Sequence, residues 1–457
     1  MSKAPRSVLT WRPDSAALGW EVSDRARAVL GDPQGFGNYM TYRDAYRILG
    51  WDPAEIYRDG GVVLDRSEWA DLGWLANHMG PSPRVVDAVR AAVGPDTLGP
   101  YSPDSTEPLR DLLAERLLGR SRDDSFAVIG TEGAQAGVGY AALACLDPGD
   151  EVIVTDPGYF HFAPALRLAG AVPRYLPLTE HNGFRLDPAE VASAVGERTK
   201  MIVVCDPVNP FGTVQRREEL AALLALSAER RLILLSDTTH ARHRIDPEAQ
   251  HYSLAALARE VPDATVLATS GLAGLGLASI RLGALGGPPA IVRAALQVKI
   301  AAVRLNTNRL AQVAAAAALA DTDWAAQGEK TIRRNLAAVR EVVPLVVTPE
   351  YGYSCVADCA GLGASAQEIM VALCRRKVAV YPGDGLGEVG ATTTIRLNLS
   401  DPSPSAVERF ARAWPDAVVE AATGVYREPV QDFFRSTGTE RGRRLAELVS
   451  GGAPGAR

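Results

Sequence analysis

Paired cysteines, long apolar runs, surplus positive charge and lysine are all scarce in this chain, and each scarcity excludes something. The five cysteines (Cys145, Cys205, Cys355, Cys359, Cys374) are odd in number and scattered, with only Cys355 and Cys359 close together. Without a CxxC pair or a histidine-rich neighbour they predict buried thiols, not a disulfide framework and not a metal site. No apolar run approaches the ~18–20 residues of a membrane span. The first twenty residues, MSKAPRSVLTWRPDSAALGW, lack the apolar stretch of a signal peptide. Lys and Arg number 48 against 54 Asp and Glu, a formal charge of −6, which argues against nucleic acid or an anionic membrane as a partner. Within that basic total only five residues are lysine. These absences predict a soluble, cytoplasmic protein.

What is present is ordinary globular material, 47% hydrophobic and 22% charged, enough to build a large core. A length of 457 residues suggests two or three domains, or one large α/β unit with an appendage. No internal repeat is visible. The first seventy or so residues are irregular, with short helix-like pieces at Asp24–Leu30 and Asp44–Leu49. From Pro81 the pattern turns regular. PRVVDAVRAAV and EPLRDLLAERLLG repeat apolar residues at the spacing of one buried helix face. Glu151–Thr155, Met201–Cys205, Arg231–Ser236 and Ala264–Ser270 are short apolar runs between helical patterns, as a parallel sheet covered on both faces produces. The ladder from about Leu98 to Leu285 therefore reads as an α/β domain with a mostly parallel sheet. Beyond it come helical patterns over Ala290–Ala320 and Thr331–Val342. Strands near Tyr353–Asp358, Val378–Val380 and Thr393–Leu399 and a helix at Ser365–Arg375 then read as a smaller α+β domain.

Ligands of open α/β sheets bind beyond the carboxyl ends of the strands, so the residues just past each apolar run matter most. FAVIG leads into Thr131-Glu132-Gly133-Ala134-Gln135, a small-residue turn that opens a helix and could face an anion. Glu151–Thr155 leads into Asp156-Pro157-Gly158-Tyr159, and Met201–Cys205 into Asp206-Pro207-Val208-Asn209-Pro210-Phe211-Gly212-Thr213. The run RLILLS ends on Asp237-Thr238-Thr239-His240, and ATVLATS runs into SGLAGLGLASIRLG, which carries Ser270 and Arg281. Taken singly, each is equally a tight turn, a core tyrosine, a helix cap or a solvated arginine. Their order at successive strand ends is the stronger signal.

The ordered set GAQ, DPGY, NPFGT, SDTTH and SGLAGLGLASIRLG resembles that of fold-type-I, pyridoxal-phosphate-dependent aminotransferases of class I/II, over roughly residues 70–415. The resemblance implies a large cofactor-binding domain over 86–310 and a small C-terminal domain over 311–425. An N-terminal extension with part of the small domain would occupy 1–85, and a helix and tail 426–457. It implies pyridoxal 5'-phosphate as cofactor, with Gly133, Ala134 and Gln135 on the phosphate and Ser270 and Arg281 completing its cup. Tyr159 would stack on the ring, Asn209 would bond the ring oxygen, and Asp237 would pair with the ring nitrogen. Tyr101, in LGPYSPDSTEPLR, would reach across a homodimer to the other subunit's phosphate. Arg396, in TTTIRLNLS, would grip the carboxylate of an amino-acid substrate. The segment DLGWLANHM (Asp71–Met79) resembles the substrate-facing segment of aminocyclopropane-carboxylate synthases, which implies Asn77 as a further substrate contact.

Two positions depart from the family pattern. His240 stands where the family has tyrosine; it would still be able to bond the ring oxygen, and an imidazole is a side chain that can titrate near neutrality. The Schiff-base lysine is expected eight residues before Arg281 and three after Ser270, and both counts land on Ala273. Of the other lysines, Lys3 lies in the irregular N-terminus, Lys200 precedes a strand, and Lys330 and Lys377 flank small-domain helices. Lys299 reads as a solvated or dimer-facing charge. Two explanations stand. In one, Ala273 is a deliberate replacement that traps the enzyme with its external aldimine, and the complete cofactor set favours this. In the other, the chain is a natural lysine-free enzyme with His240 as base. The chemistry implied is transamination, with elimination, replacement or cyclisation on S-adenosylmethionine or a similar amino acid as the alternative. A non-catalytic cofactor-binding role also remains, though the N-terminal segment has too few basic residues and regular helices for a helix-turn-helix domain.

Overall fold

The computed structural model describes residues 22–30, 39–52, 55–58, 61–62 and 64–450. The first twenty residues, with Lys3, and the GGAPGAR tail lie outside the described residues. Two compact units divide the chain. One comprises Ala76–Arg333 with Thr348–Tyr353, and the other holds the described residues up to Leu75, Arg334–Val347 and the chain from Ser354 onward.

The larger unit is built on β1 (Ala127–Thr131), β2 (Glu151–Asp156), β3 (Val172–Pro177), β4 (Thr199–Cys205), β5 (Ile233–Asp237), β6 (Thr265–Gly271) and β7 (Gly283–Gly287). They form one sheet in the order β1-β7-β6-β5-β4-β2-β3. β7 runs antiparallel to both its neighbours, and the remaining pairs are parallel. Helices cover both faces, which is why the central strands are apolar throughout. Along β4, Ile202 and Val204 enter one core cluster while Met201, Val203 and Cys205 enter the other.

Two strands carry no apolar run. β3 is an edge strand that exposes Val172, Arg174 and Tyr175. β7 is GALGG, and sterics demand its glycines: a Cβ on Gly283 would stand 2.5 Å from the Ser270 carbonyl oxygen, and one on Gly286 2.6 Å from Phe126 Cζ.

The helices include α1 (Pro83–Ala92), α2 (Ala134–Cys145), α3 (Arg217–Arg230), α4 (Pro289–Val303), α5 (Arg309–Ala320) and α6 (Thr322–Arg340). The larger unit does not end at 310 but continues to Arg333. Ala311, Ala314, Ala315, Ala318 and Leu319 of α5 belong to its hydrophobic core, so that helix cannot leave with the second unit.

The smaller unit holds an antiparallel sheet of β8 (Ser354–Asp358), β9 (Tyr381–Pro382) and β10 (Thr394–Asn398), in the order β8-β10-β9. Ala70–Asp71 pairs in parallel with Val378–Ala379, which ties the N-terminal segment to this unit. Helix α7 (Ala366–Arg375) opens on a capping box of Ser365 and Glu368, and α8 (Pro404–Ala422) comes after it. The expectation of a single helix and tail past 426 is corrected here. Helices α9 (Arg427–Ser436) and α10 (Glu440–Ser450) bury Val430, Phe434, Leu445, Ala446 and Val449, so amphipathic faces hide behind a charged composition. Among the described residues, no helix is long and apolar enough to cross a membrane.

Candidate active site

The carboxyl ends of the parallel strands carry the turns picked out in the sequence. The chain leaves β1 through Glu132 and Gly133, and Gly133 adopts φ +93 as the N-cap of α2. Arg281 crowds this glycine: a Cβ there would stand 2.9 Å from Arg281 Nη2. The guanidinium donates to the Glu132 carbonyl (3.3 Å) and the Ala278 carbonyl (3.1 Å). On the other side Gly271 packs against the helix start, its Cβ position 3.2 Å from Ala134 N, with Ser270 buried beside it. Gly133, Ala134, Ser270 and Arg281 are thus gathered around the free N–H groups of a helix N-terminus, an arrangement that suits a phosphate. Gln135 belongs to the turn but its amide is engaged, donating to the His161 carbonyl (2.7 Å). No sequence motif points to His161. Burial and the Arg281 charge push its pKa down to about 4.

Asp237 ends β5 and is buried. It accepts from the Thr239 amide (2.9 Å) and hydroxyl (2.5 Å). Burial nevertheless raises its pKa, because neither bond brings a counter-charge; a protonated ring nitrogen would. Asn209 is 3% exposed, and neither its Nδ2 nor its Oδ1 has a partner. A buried, unsatisfied amide costs roughly 1–3 kcal/mol, so this site is shaped for something that bonds it. Tyr159 stands partly exposed, its ring centroid 5.3, 5.4 and 5.2 Å from those of Phe160, His161 and Phe162. The His240 ring lies 5.1 Å from that of Tyr353. An orphaned amide, a buried carboxylate without a cation, a half-open aromatic face and an anion cup fit the four sides of pyridoxal 5'-phosphate.

Ala273 opens a one-turn 3₁₀ helix (Ala273–Leu275) directly after β6 and is partly exposed. The next carbonyl, Gly274 O, accepts from Asn77 Nδ2 (2.6 Å) and His243 Nε2 (2.7 Å). The His243 bond makes Nε2 the protonated nitrogen, and burial keeps the ring's pKa below its usual value. Asn77 Oδ1 also accepts from the Met79 amide (3.0 Å), so its polar atoms serve the backbone. His243, three residues past the DTTH motif, is the partner that sequence reasoning missed.

Lys299 is not solvated. It is fully buried, donating to Gly130 O (2.7 Å) and Thr307 Oγ1 (2.8 Å) with Glu132 Oε1 at 3.0 Å. Its helix α4 packs on the sheet, and these acceptors compensate its desolvated charge. Lys200 and Lys330 are exposed, and Lys377, half-buried, lies over the rings of Tyr46, Trp51 and Trp69 at 5.8, 4.8 and 5.0 Å. In the smaller unit Arg396 is 2% exposed, donates to Gly73 O (3.4 Å) and sits 4.3 Å over the Tyr381 ring. Tyr101 is 80% exposed, with the Arg304 guanidinium 5.2 Å from its ring.

Comparison with known proteins gives the same answer. Residues 71–413 match the sequence model of the family described as "Aminotransferase class I and II". An aspartate aminotransferase of Streptomyces avermitilis is 30% identical over 304 residues, 63% of this chain and 74% of the relative. A histidinol-phosphate aminotransferase of Halorubrum lacusprofundi is 32% identical over 288 residues, 63% of this chain and 73% of the relative. Among solved structures, a single mutant of Thermus thermophilus aspartate aminotransferase superposes with a TM-score of 0.71 at 26% identity, covering 86% of this chain and 99% of that one. The chain belongs to the aminotransferase class I and II family, fold-type-I transferases whose members use pyridoxal 5'-phosphate.

Proposed function

We propose that this chain holds pyridoxal 5'-phosphate without a covalent tether and binds an amino acid for aminotransferase-type chemistry, with Ala273 standing where the tethering lysine would be. The observation that carries it is the buried Asn209 amide, whose oxygen and nitrogen both lack partners, in the unit that also presents Asp237 and the Gly133–Arg281 cup. In this reading Gly133, Ala134, Ser270 and Arg281 hold the phosphate, Tyr159 covers the ring, and Asn209 and His240 address the ring oxygen. Asp237 keeps the ring nitrogen protonated. When bound, the cofactor supplies an electron-withdrawing ring that takes up charge from the substrate's α-carbon. Arg396 receives the α-carboxylate through a two-pronged guanidinium contact. The Ala273 methyl moves no proton, so proton transfer at the α-carbon is left without a positioned amine. Asn77, committed to Gly274 and Met79, supports the turn at Ala273 and lends no weight to the alternative substrate S-adenosylmethionine.

The same reading makes the protein a cytoplasmic homodimer. Tyr101 is exposed together with Leu98, Val303 and Leu305, and the segment after Tyr101 is bonded to the one after Arg304 through Ser102 and Asn306. Such an apolar surface suits an isologous contact.

The test is titration with pyridoxal 5'-phosphate, then borohydride reduction and intact mass. Saturable fluorescence quenching with no mass increase is expected. Absence of saturable binding, or a reduced adduct on Lys299 or any other lysine, would overturn the proposal.

A further inference from the structure

A lysine that is 0% exposed is unusual, because its charge must be met by acceptors in a place without water. Lys299 meets three on the larger unit. Two are hydrogen-bond acceptors: the backbone Gly130 O, near the end of β1, and the side-chain Thr307 Oγ1, in the segment between α4 and α5. The third contact is an ion pair, 3.0 Å to Oε1 of Glu132, the residue that precedes Gly133, an oxygen that takes no hydrogen bond. That carboxylate is held on its other oxygen by Tyr140, which donates from α2 at 2.6 Å. Glu132 also offers its carbonyl to Arg281. One residue thus links the buried lysine, the helix whose N-terminus faces the cup, and the arginine over the glycine. Asp104 Oδ2 accepts from the Gly130 amide at 3.2 Å, so both backbone polar groups of Gly130 are held by side chains.

We infer that Lys299, acting through Glu132 and Tyr140, is a positioning residue that sets the Gly133 turn for phosphate and so sustains cofactor affinity where residue 273 gives no tether. The inference rests on the cofactor reading above and adds to it a role for a lysine distant in sequence from every motif. Preorganisation is the physical reason. A turn held in its phosphate-binding shape before the ligand arrives loses no ordering entropy on binding. The net charge of the Lys299–Glu132 pair is zero, so its effect is on geometry and not on long-range attraction.

A phosphate-specific role separates this from general stability. Dissociation constants for pyridoxal 5'-phosphate and for pyridoxal, which lacks the phosphate, are to be measured on the full chain as it stands and on Lys299→Met, Glu132→Gln and Tyr140→Phe. Lys299→Met and Glu132→Gln should weaken the phosphorylated ligand by on the order of 10–100-fold, as loss of an outer partner does for other bound groups, and leave pyridoxal nearly unchanged. Tyr140→Phe should do the same more weakly, since the lysine remains. Equal weakening of both ligands would reduce the trio to scaffold and overturn the inference, and so would no weakening of either. If Lys299→Met loses its cooperative melting transition, the ratio for Tyr140→Phe decides, because that variant keeps the buried pair. A parent chain that binds neither ligand overturns the cofactor reading itself. A parent that binds both ligands alike leaves that reading standing and defeats this one alone.

Discussion

The turn leaving β1 and the turn leaving β6 lie in the same unit and are supported alike, yet they differ in what they present. At the first, Lys299, Tyr140 and Arg281 hold Glu132, and Gly133 caps a helix N-terminus. At the second, Asn77 and His243 hold Gly274, and what is presented is the methyl of Ala273. The backbone is therefore supported at both turns, whatever side chain each presents. If the proposed roles hold, the difference makes binding and chemistry separable: one turn would give affinity, and the other would be a braced position with no amine on it.

Putting an amine on the second turn is the largest way to break that contrast. Ala273→Lys should produce a borohydride-fixable covalent link to the cofactor, with its visible absorbance band. Turnover should rise by ~10²–10⁴-fold, the usual worth of a positioned proton-transfer group. Spectra and amino-acid-dependent turnover of the parent and the variant check this. A lysine-free enzyme working through His240 predicts the reverse: a fully active parent, a dead Ala273→Lys and a dead His240→Ala.

The next effect lies in the smaller unit. Arg396→Ala should weaken amino-acid binding by roughly 2–5 kcal/mol, the loss expected when one member of a buried charge pair is removed. Cofactor affinity should stay within about twofold, since the proposed phosphate contacts are Gly133, Ala134, Ser270 and Arg281. Calorimetry with each ligand separates the two, and unchanged amino-acid affinity would take the carboxylate away from Arg396.

The legibility of these features depends on where their causes lie. Apolar runs buried on both faces announce themselves, so β2, β4, β5 and β6 can be read along with the motifs at their ends. β3 cannot, because an edge strand exposing Arg174 and Tyr175 has no such run. β7 cannot, because Gly283 and Gly286 answer to atoms of Ser270 and Phe126, which no local pattern reveals. Lys299 misleads for the same reason. A lysine on a helical pattern looks solvated until the acceptors Gly130, Glu132 and Thr307 arrive from other stretches of chain. Asn77 and His243 meet only because the fold brings Gly274 between them. Position 273 is the opposite case: its proposed role rests on its spacing from Ser270 and Arg281 in the sequence.

A smaller effect is expected at Asn209. Asn209→Ala removes two buried polar atoms that lack partners, so the apo chain should melt no lower than the parent, less the few contacts of the lost side chain. Cofactor affinity should fall about tenfold, roughly one hydrogen bond to a charged group. Thermal melts with and without pyridoxal 5'-phosphate check both. A large apo destabilisation with unchanged ligand affinity would make Asn209 a framework residue.

The smallest effect is a pH dependence that tells the two turns apart. His161, whose carbonyl accepts from Gln135 beside the cup, has its pKa lowered to about 4 by burial and then by Arg281. In the unfolded chain the ring titrates near 6.5. Above that value both states are neutral and His161 adds no pH dependence. As pH falls toward 4 the unfolded state takes up a proton that the folded state refuses, so the fold loses stability across that window and no further below it. Asp206, raised to about 6 by burial, works with the opposite sign, losing stability as pH rises through 6, so only a comparison with a variant isolates the histidine. His161→Gln should lose ~1–2 kcal/mol less than the parent between pH 6.5 and 4, a figure reduced for the part of the ring that meets solvent. Denaturant melts at several pH values measure it. A bound phosphate would raise the pKa of His161 and shrink the difference, whereas the charges acting on His243, buried at the Ala273 turn, are those of Glu329 and Arg242. If His161→Gln leaves the slope unchanged, and bound cofactor does too, the acid sensitivity lies with His243 and the turn at Ala273, not with the phosphate turn.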